Sequence, residues 1–265
     1  MTPQPKATQA ARPPAIENAI AIASGKGGVG KTCLAIALCH ALAKRGRNCL
    51  LFDGDLGLAN IDIQLGLAPE RSLSGVLSER HSMAQAVSRY TAGGFDILAG
   101  ESGSGALSSL SATQLHRLID GLRDVAPSYE TLLLDLGAGI ERSVQLLSQA
   151  APLKLIVTSD EPTSLTDSYA LMKLCHAAGV PGEFRIIVNM ATSRRDGEMT
   201  YRTLLRACET FLKFRPGLAG IVRRDSHVRE AIRSQMPLLT RFPNCEAARD
   251  IEEIAERLLA RGPEA

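Results

Sequence analysis

The sequence predicts an α/β fold, a doubly wound and mostly parallel sheet flanked by helices on both faces. Three observations lead there. Short apolar runs alternate with helix-period segments along nearly all of the 265 residues. Several runs are apolar at nearly every position, as in strands buried on both faces. The first run passes through a glycine-rich turn directly into a helical pattern. Such alternation implies right-handed strand–helix–strand crossovers.

The elements follow in order. Residues 1–17 hold four prolines and no apolar periodicity, which predicts a flexible tail before one domain over 18–261. Two independent domains would each be too small to bury an ample core. Strands are predicted at 19–23, 49–52, 95–98, 131–134, 153–158, 184–188 and 218–222, and helices at 31–44, 112–125, 164–178 and 200–211. Residues 71–90 read as short helices. In the last helical segment Ala247, Ala248, Ile251, Ile254, Ala255, Leu258 and Leu259 share one face, while Arg249, Asp250, Glu252, Glu253, Glu256 and Arg257 occupy the other. That polar face is more acidic than basic, which favours docking on the sheet over a membrane surface.

Composition narrows the function. Net charge is +2, from 30 basic against 28 acidic side chains, which gives no case for wholesale nucleic-acid binding. The chain has no Trp and only 4% aromatic residues, too few for a base-stacking platform. The six cysteines show no paired or metal-type spacing and read as small buried hydrophobes in a reducing compartment. No apolar run precedes residue 19, and none approaches the roughly 20 residues needed to cross a bilayer. A cytoplasmic protein, at most peripheral to a membrane, is expected.

The turn after the first strand is Ser24-Gly-Lys-Gly-Gly-Val-Gly-Lys-Thr32, which satisfies G-x-x-x-x-G-K-T from Gly25 to Thr32 between a strand and a helix. Gly25, Gly27, Gly28 and Gly30 let consecutive N–H groups, with that of Val29 between them, converge on phosphate oxygens at a helix N-terminus. Lys31 would neutralise the outer phosphates, and the Thr32 hydroxyl would ligate Mg²⁺. Cys33 follows at the first turn of the helix. These features predict a P-loop NTPase with ATP and Mg²⁺ as ligands. Lys26 is a second cation that simple binding does not need, so it should meet charge arriving during reaction or dimerisation.

Carboxylates complete the site. Leu50-Leu-Phe-Asp53-Gly-Asp55 ends a strand beside the phosphate loop. Asp55 is the better placed to orient the attacking water, and Asp53 to support the Mg²⁺ shell, unless both are solvated turn residues. Leu132-Leu-Leu-Asp135-Leu-Gly-Ala-Gly139 reads as a Walker B strand. Asp135 would hold Mg²⁺ through water, and Gly137 and Gly139 would let the loop respond to the γ-phosphate. Asn189 ends another apolar strand, either as a base-reading amide or as a turn residue.

The K-G-G-x-G-K-T arrangement resembles the deviant Walker A ATPases, the family of MinD and ParA. That resemblance implies an ATP-sandwiched homodimer in which Lys26 reaches the partner's nucleotide, catalysis by Asp55, and Asn189 against adenine. The family's Ile-Pro-x-Asp stretch is here Ile221-Val-Arg-Arg-Asp225, with Val222 at the proline position. The segment Asp53-Gly-Asp-Leu-Gly-Leu-Ala-Asn-Ile-Asp62 is similar to the flagellar number regulators, the FlhG/FleN branch. So are Ala99-Gly-Glu-Ser-Gly-Ser-Gly105, Asp135–Gly139 and 160–169. The branch implies as partners a flagellar SRP-type GTPase, a transcription activator or a flagellar switch protein, and a site at the cell pole or inner membrane. Two departures count against part of this. Thr8-Gln-Ala-Ala-Arg12 lacks the acidic residue and leucine of the GTPase-stimulating element, and the chain looks too short for a membrane-targeting C-terminal helix.

Two other readings compete. A ParA-type DNA-partitioning ATPase would draw on Arg215, Arg223, Arg224, Arg229 and Arg233, and a MinD-like role would lie at the division site. A metal-carrier or metabolic enzyme on the same scaffold would need paired cysteines or a declared substrate pocket.

Overall fold

The structure is a computed structural model and describes residues 15–100 and 110–260. Most of the tail and most of the 99–105 segment therefore lie outside the described residues. Eight strands form one sheet: β1 (Ala19–Ser24), β2 (Cys49–Gly54), β3 (Ser88–Tyr90), β4 (Phe95–Leu98), β5 (Thr131–Ala138), β6 (Leu153–Thr158), β7 (Glu183–Ala191) and β8 (Gly217–Arg223). Their order is β3-β4-β2-β5-β1-β6-β7-β8. Every neighbouring pair is parallel except β3–β4.

The strands are apolar at consecutive positions because each faces two cores. Leu132 and Leu134 pack with Ala21, Phe52, Ile156 and Ile186 beneath the helices Ala112–Val125, Arg142–Gln149 and Pro162–Ala177. Leu133 points the other way, into a core with Ile22, Leu51, Leu155 and the helices Lys31–Lys44 and Glu246–Ala260. The alternation is the period-2 geometry of a strand with both faces covered.

Most expected strands and helices form. The strand β3 was not expected: three residues are too few to show alternation, and it follows the short helices Leu73–Leu77 and Met83–Ala86. Its Tyr90 ring packs on Phe95 at 5.3 Å between centroids. Ile16, within the stretch read as tail, is buried, and its N–H donates to the Ala150 carbonyl at 2.7 Å.

The C-terminal helix docks on the sheet through Ala247, Ala248, Ile251, Ile254 and Ala255. Asp250 does not follow the expected polar face; it is buried. It survives burial because Arg194 Nη2 donates to it at 2.6 Å and Arg223 reaches it with Nε and Nη2 at 2.9 Å each. Among the described residues no helix is long and apolar enough to cross a membrane.

Candidate nucleotide site

Parallel strands end on one edge of the sheet, and the site gathers there. Helix Lys31–Lys44 starts at Gly30, whose φ of 80° lies in the left-handed region that glycine alone adopts freely. Gly25 is glycine for a different reason. A Cβ there would sit 2.1 Å from the backbone carbonyl carbon of Asp167, so the loop begins pressed against helix Pro162–Ala177. Ser24 Oγ donates to the Lys26 carbonyl at 3.0 Å and closes the first curl of the loop.

Gly27 and Gly28 form the exposed crest of the loop. Neither is needed for a close approach within the chain: a Cβ at Gly27 would lie 4.0 Å from the Ala138 Cβ, and one at Gly28 would meet open space. Gly28 is instead required by its φ of 80°. Gly27 and Gly28 lie outside the cavity described below, on the side of the loop that faces solvent, because the chain must turn outward before it re-enters at Val29. Their backbone remains open to a ligand from that side.

The two lysines have separate positions. Lys31 is buried, with Nζ 2.7 Å from Asp135 Oδ1. Lys26 sits on the rim, donating to Glu161 Oε2 at 2.7 Å and Thr163 Oγ1 at 2.8 Å, with both members of the ion pair well exposed. Glu161 precedes helix Pro162–Ala177, so Lys26 is tied to the element that Gly25 touches.

Sheet register places the carboxylates. Asp53 on β2 is the direct cross-strand partner of Asp135 on β5. Burial pushes the Asp135 carboxyl above the usual range, against the Lys31 ammonium and the Thr32 hydroxyl. Its Oδ2 is buried and, among the described residues, has no hydrogen bond of good geometry. Asp53 is raised to about 7, first by burial and then by the charge of Asp135. Both its oxygens are engaged: Oδ1 accepts from Asp55 N–H at 3.3 Å, and Oδ2 from Asn60 and Ile61 N–H at 3.0 and 3.1 Å. Asp53 thus clamps the loop that leads into helix Ile61–Leu65. Asp55 is half-buried, accepts from Leu58 N–H at 3.1 Å, and lies beside Gly137, where a Cβ would come within 3.6 Å of its Oδ1. The loop after β5 returns to the phosphate loop through Gly139 N–H, which donates to the Ser24 carbonyl at 2.8 Å.

A cavity of about 170 Å³ adjoins the loop, lined in part by Gly30, Cys33, Asn189, Arg224, Asp225 and Arg229. Asn189 Nδ2 donates to the Val29 carbonyl at 2.8 Å, which fixes the amide against the phosphate loop. The next residue, Met190, has φ 57° at a register shift between β7 and β8. A left-handed methionine costs about 1 kcal/mol or more and is held only by its surroundings. Nothing in the sequence signalled it. The cavity takes in Val222 to Asp225, so the stretch without the family's proline borders the same cavity as Asn189. Cys33 is pushed up to about 12 by burial and has no thiolate role.

The residues fit a magnesium nucleotide. The loop is curled about its glycines, Lys31 is positioned, and the buried Oδ2 of Asp135 has, among the described residues, no hydrogen bond of good geometry. A family model described as the CobQ/CobB/MinD/ParA nucleotide binding domain matches residues 20–238. The chain belongs to this family. A MinD/ParA-family relative, the antiactivator FleN of Pseudomonas aeruginosa, is 37% identical over 239 residues, covering 90% of this chain and 85% of FleN. The flagellum site-determining protein YlxH of Helicobacter pylori is 28% identical, covering 91% and 82%. The septum site-determining protein MinD of Pyrococcus horikoshii, solved with Mg-ADP, superposes with a TM-score of 0.78 at 25% identity, covering 92% of this chain and 97% of that one. The likeness to MinD/ParA ATPases of the flagellar branch, read from residues 25–32 and 53–62, is borne out by these relatives.

Proposed function

We propose that the chain is a Mg-dependent ATPase whose ATP-bound homodimer regulates flagellar number or placement. The observation that carries the switch is the separation of its two lysines. Lys31 is fixed inside the site on Asp135, whereas Lys26 stands outside on an exposed ion pair. Exposed pairs are worth little, so Lys26 can leave Glu161 for a stronger charge brought by a second copy.

Each residue then has a task. The phosphate-loop N–H groups and Lys31 hold the phosphates. Thr32 and Asp135 would hold Mg²⁺, which supplies charge neutralisation at the phosphate oxygens. Asp55, next to Gly137, orients the attacking water. Asp53 holds the 55–61 loop, so contacts made or lost by Asp55 reach helix Ile61–Leu65. Asn189 faces the base in the cavity it shares with Cys33. FleN and YlxH support the flagellar output, and a SRP-type GTPase, a transcription activator or a flagellar switch protein are the partner classes consistent with it.

The DNA-partitioning reading is less well supported. Arg223 is drawn to the buried Asp250 and to Glu246, so it serves the fold and is not free for a phosphate backbone.

The test is a chromosomal Asp55→Ala replacement beside a Lys26→Ala replacement, with flagella and minicells counted and light scattering on the purified chains. Asp55→Ala should dimerise with ATP and lose phosphate release by about 100-fold or more. Lys26→Ala should stay monomeric. Changed flagellar numbers with normal division support the proposal. Normal flagella with minicells would move the chain to the division branch, and no ATP-dependent dimer would overturn the switch.

A further inference from the structure

We propose that Asp225, His227 and Cys245 form a second metal site, for a soft divalent cation of the zinc type, against the side of the base cavity. Among the described residues these three bring ligand atoms within 4.8 Å of one another. They come from two places: Asp225 and His227 at the N-cap and first turn of helix Ser226–Arg233, and Cys245 just before helix Glu246–Ala260.

Contacts within the chain fix each side chain, backbone N–H groups for Asp225 and Cys245 and neighbouring side chains for His227. Asp225 Oδ1 accepts from the His227 N–H at 3.0 Å, and Oδ2 accepts from the Ala247 N–H at 3.3 Å. Cys245 Sγ accepts from the Ala248 N–H at 3.4 Å. The His227 ring has Nδ1 2.7 Å from Asp225 Oδ1 and packs on Phe242 at 4.6 Å between centroids. The cluster is therefore held before any ion arrives, which lowers the entropy cost of binding.

Capping alone does not account for these residue types. Serine, threonine, aspartate and asparagine are the good N-caps, and a thiol is not among them. A hydroxyl at 245 would hold the helix better. What the thiol adds is softness. One sulfur, one imidazole nitrogen and one carboxylate oxygen, with a fourth position open beside the half-exposed His227, make a zinc-type donor set. Magnesium and calcium prefer oxygen throughout. Asp225 also lines the base cavity, so an ion here ties that wall to the start of the C-terminal helix. By linkage, cation and nucleotide would then alter each other's affinity.

The experiment uses the nucleotide-free full chain in excess Mg²⁺, which occupies hard oxygen sites. Zinc stoichiometry is read by equilibrium dialysis, and Co²⁺ is added as a spectroscopic probe for a thiolate charge-transfer band. The native chain should bind one Zn²⁺ and show the band. Cys245→Ser, which keeps a capping atom, should abolish the band and weaken zinc about tenfold or more, as should His227→Ala. Cys33→Ser should change neither. A circular dichroism melt confirms that each variant is folded. Zinc binding unchanged in Cys245→Ser, a band that survives in it, or no stoichiometric zinc on the native chain would overturn the proposal.

Discussion

At the scale of single residues, Asp53 shows how position changes role. The sequence showed two carboxylates one residue apart and offered both to the site. Cross-strand register then buried Asp53 opposite Asp135 and turned three backbone N–H groups onto it. Its raised pKa has a consequence for stability. Between about pH 4 and 7 the folded chain holds a proton here that the unfolded chain has released. Stability therefore falls as pH rises through that window, by a few kcal/mol at most, since each tenfold change in proton affinity is worth about 1.4 kcal/mol. Urea unfolding of the nucleotide-free chain at pH 5 and pH 8 checks this, and Asp53→Asn should flatten the difference. Lys31, Thr32, Asp55 and Asp135 were legible because a short spacing carries their chemistry. The same spacing assigned Gly25, Gly27, Gly28 and Gly30 one shared task, the curl of the loop, but it could not tell which of them answers to a positive φ and which to a close approach. Asp225, His227 and Cys245 were not legible, since 17 residues lie between the last two and only folding joins them.

At the scale of elements, the C-terminal helix is held by more than its apolar face. Periodicity identified that face but put Asp250 with the solvent. No pattern of spacing could reveal that Arg194 and Arg223, from other elements, would converge on it. Removing the carboxylate leaves both guanidiniums without their shared acceptor. Asp250→Ala should cost about 2–4 kcal/mol, read as a lower urea midpoint. Arg249→Ala, on the same helix and outside the buried face, should cost under about 0.5 kcal/mol. Strand β3 was missed for a similar reason: its three residues pair through backbone groups, and the pairing partner β4 lies across a turn.

At the scale of the whole molecule, strand–helix alternation gave the fold class, because a parallel sheet covered on both faces leaves few topologies. Sheet order and the antiparallel edge were beyond it, since order depends on which strands meet in space. The distribution of charge also belongs to this scale. With Arg223 committed to the buried Asp250 and a net charge of only +2, the ATP-bound chain should show no salt-sensitive binding to random duplex DNA, measured by fluorescence anisotropy across a salt titration. The sheet also divides the interior in two. Helix Lys31–Lys44, which leaves the phosphate loop, belongs to one core, and helices Arg142–Gln149 and Pro162–Ala177, which follow the loop after β5 and Glu161, belong to the other. Changes in separate packing units are nearly additive. The two sides can therefore drift apart on independent evolutionary clocks, and a lineage can rebuild what its switch contacts while inheriting its nucleotide cradle almost unaltered.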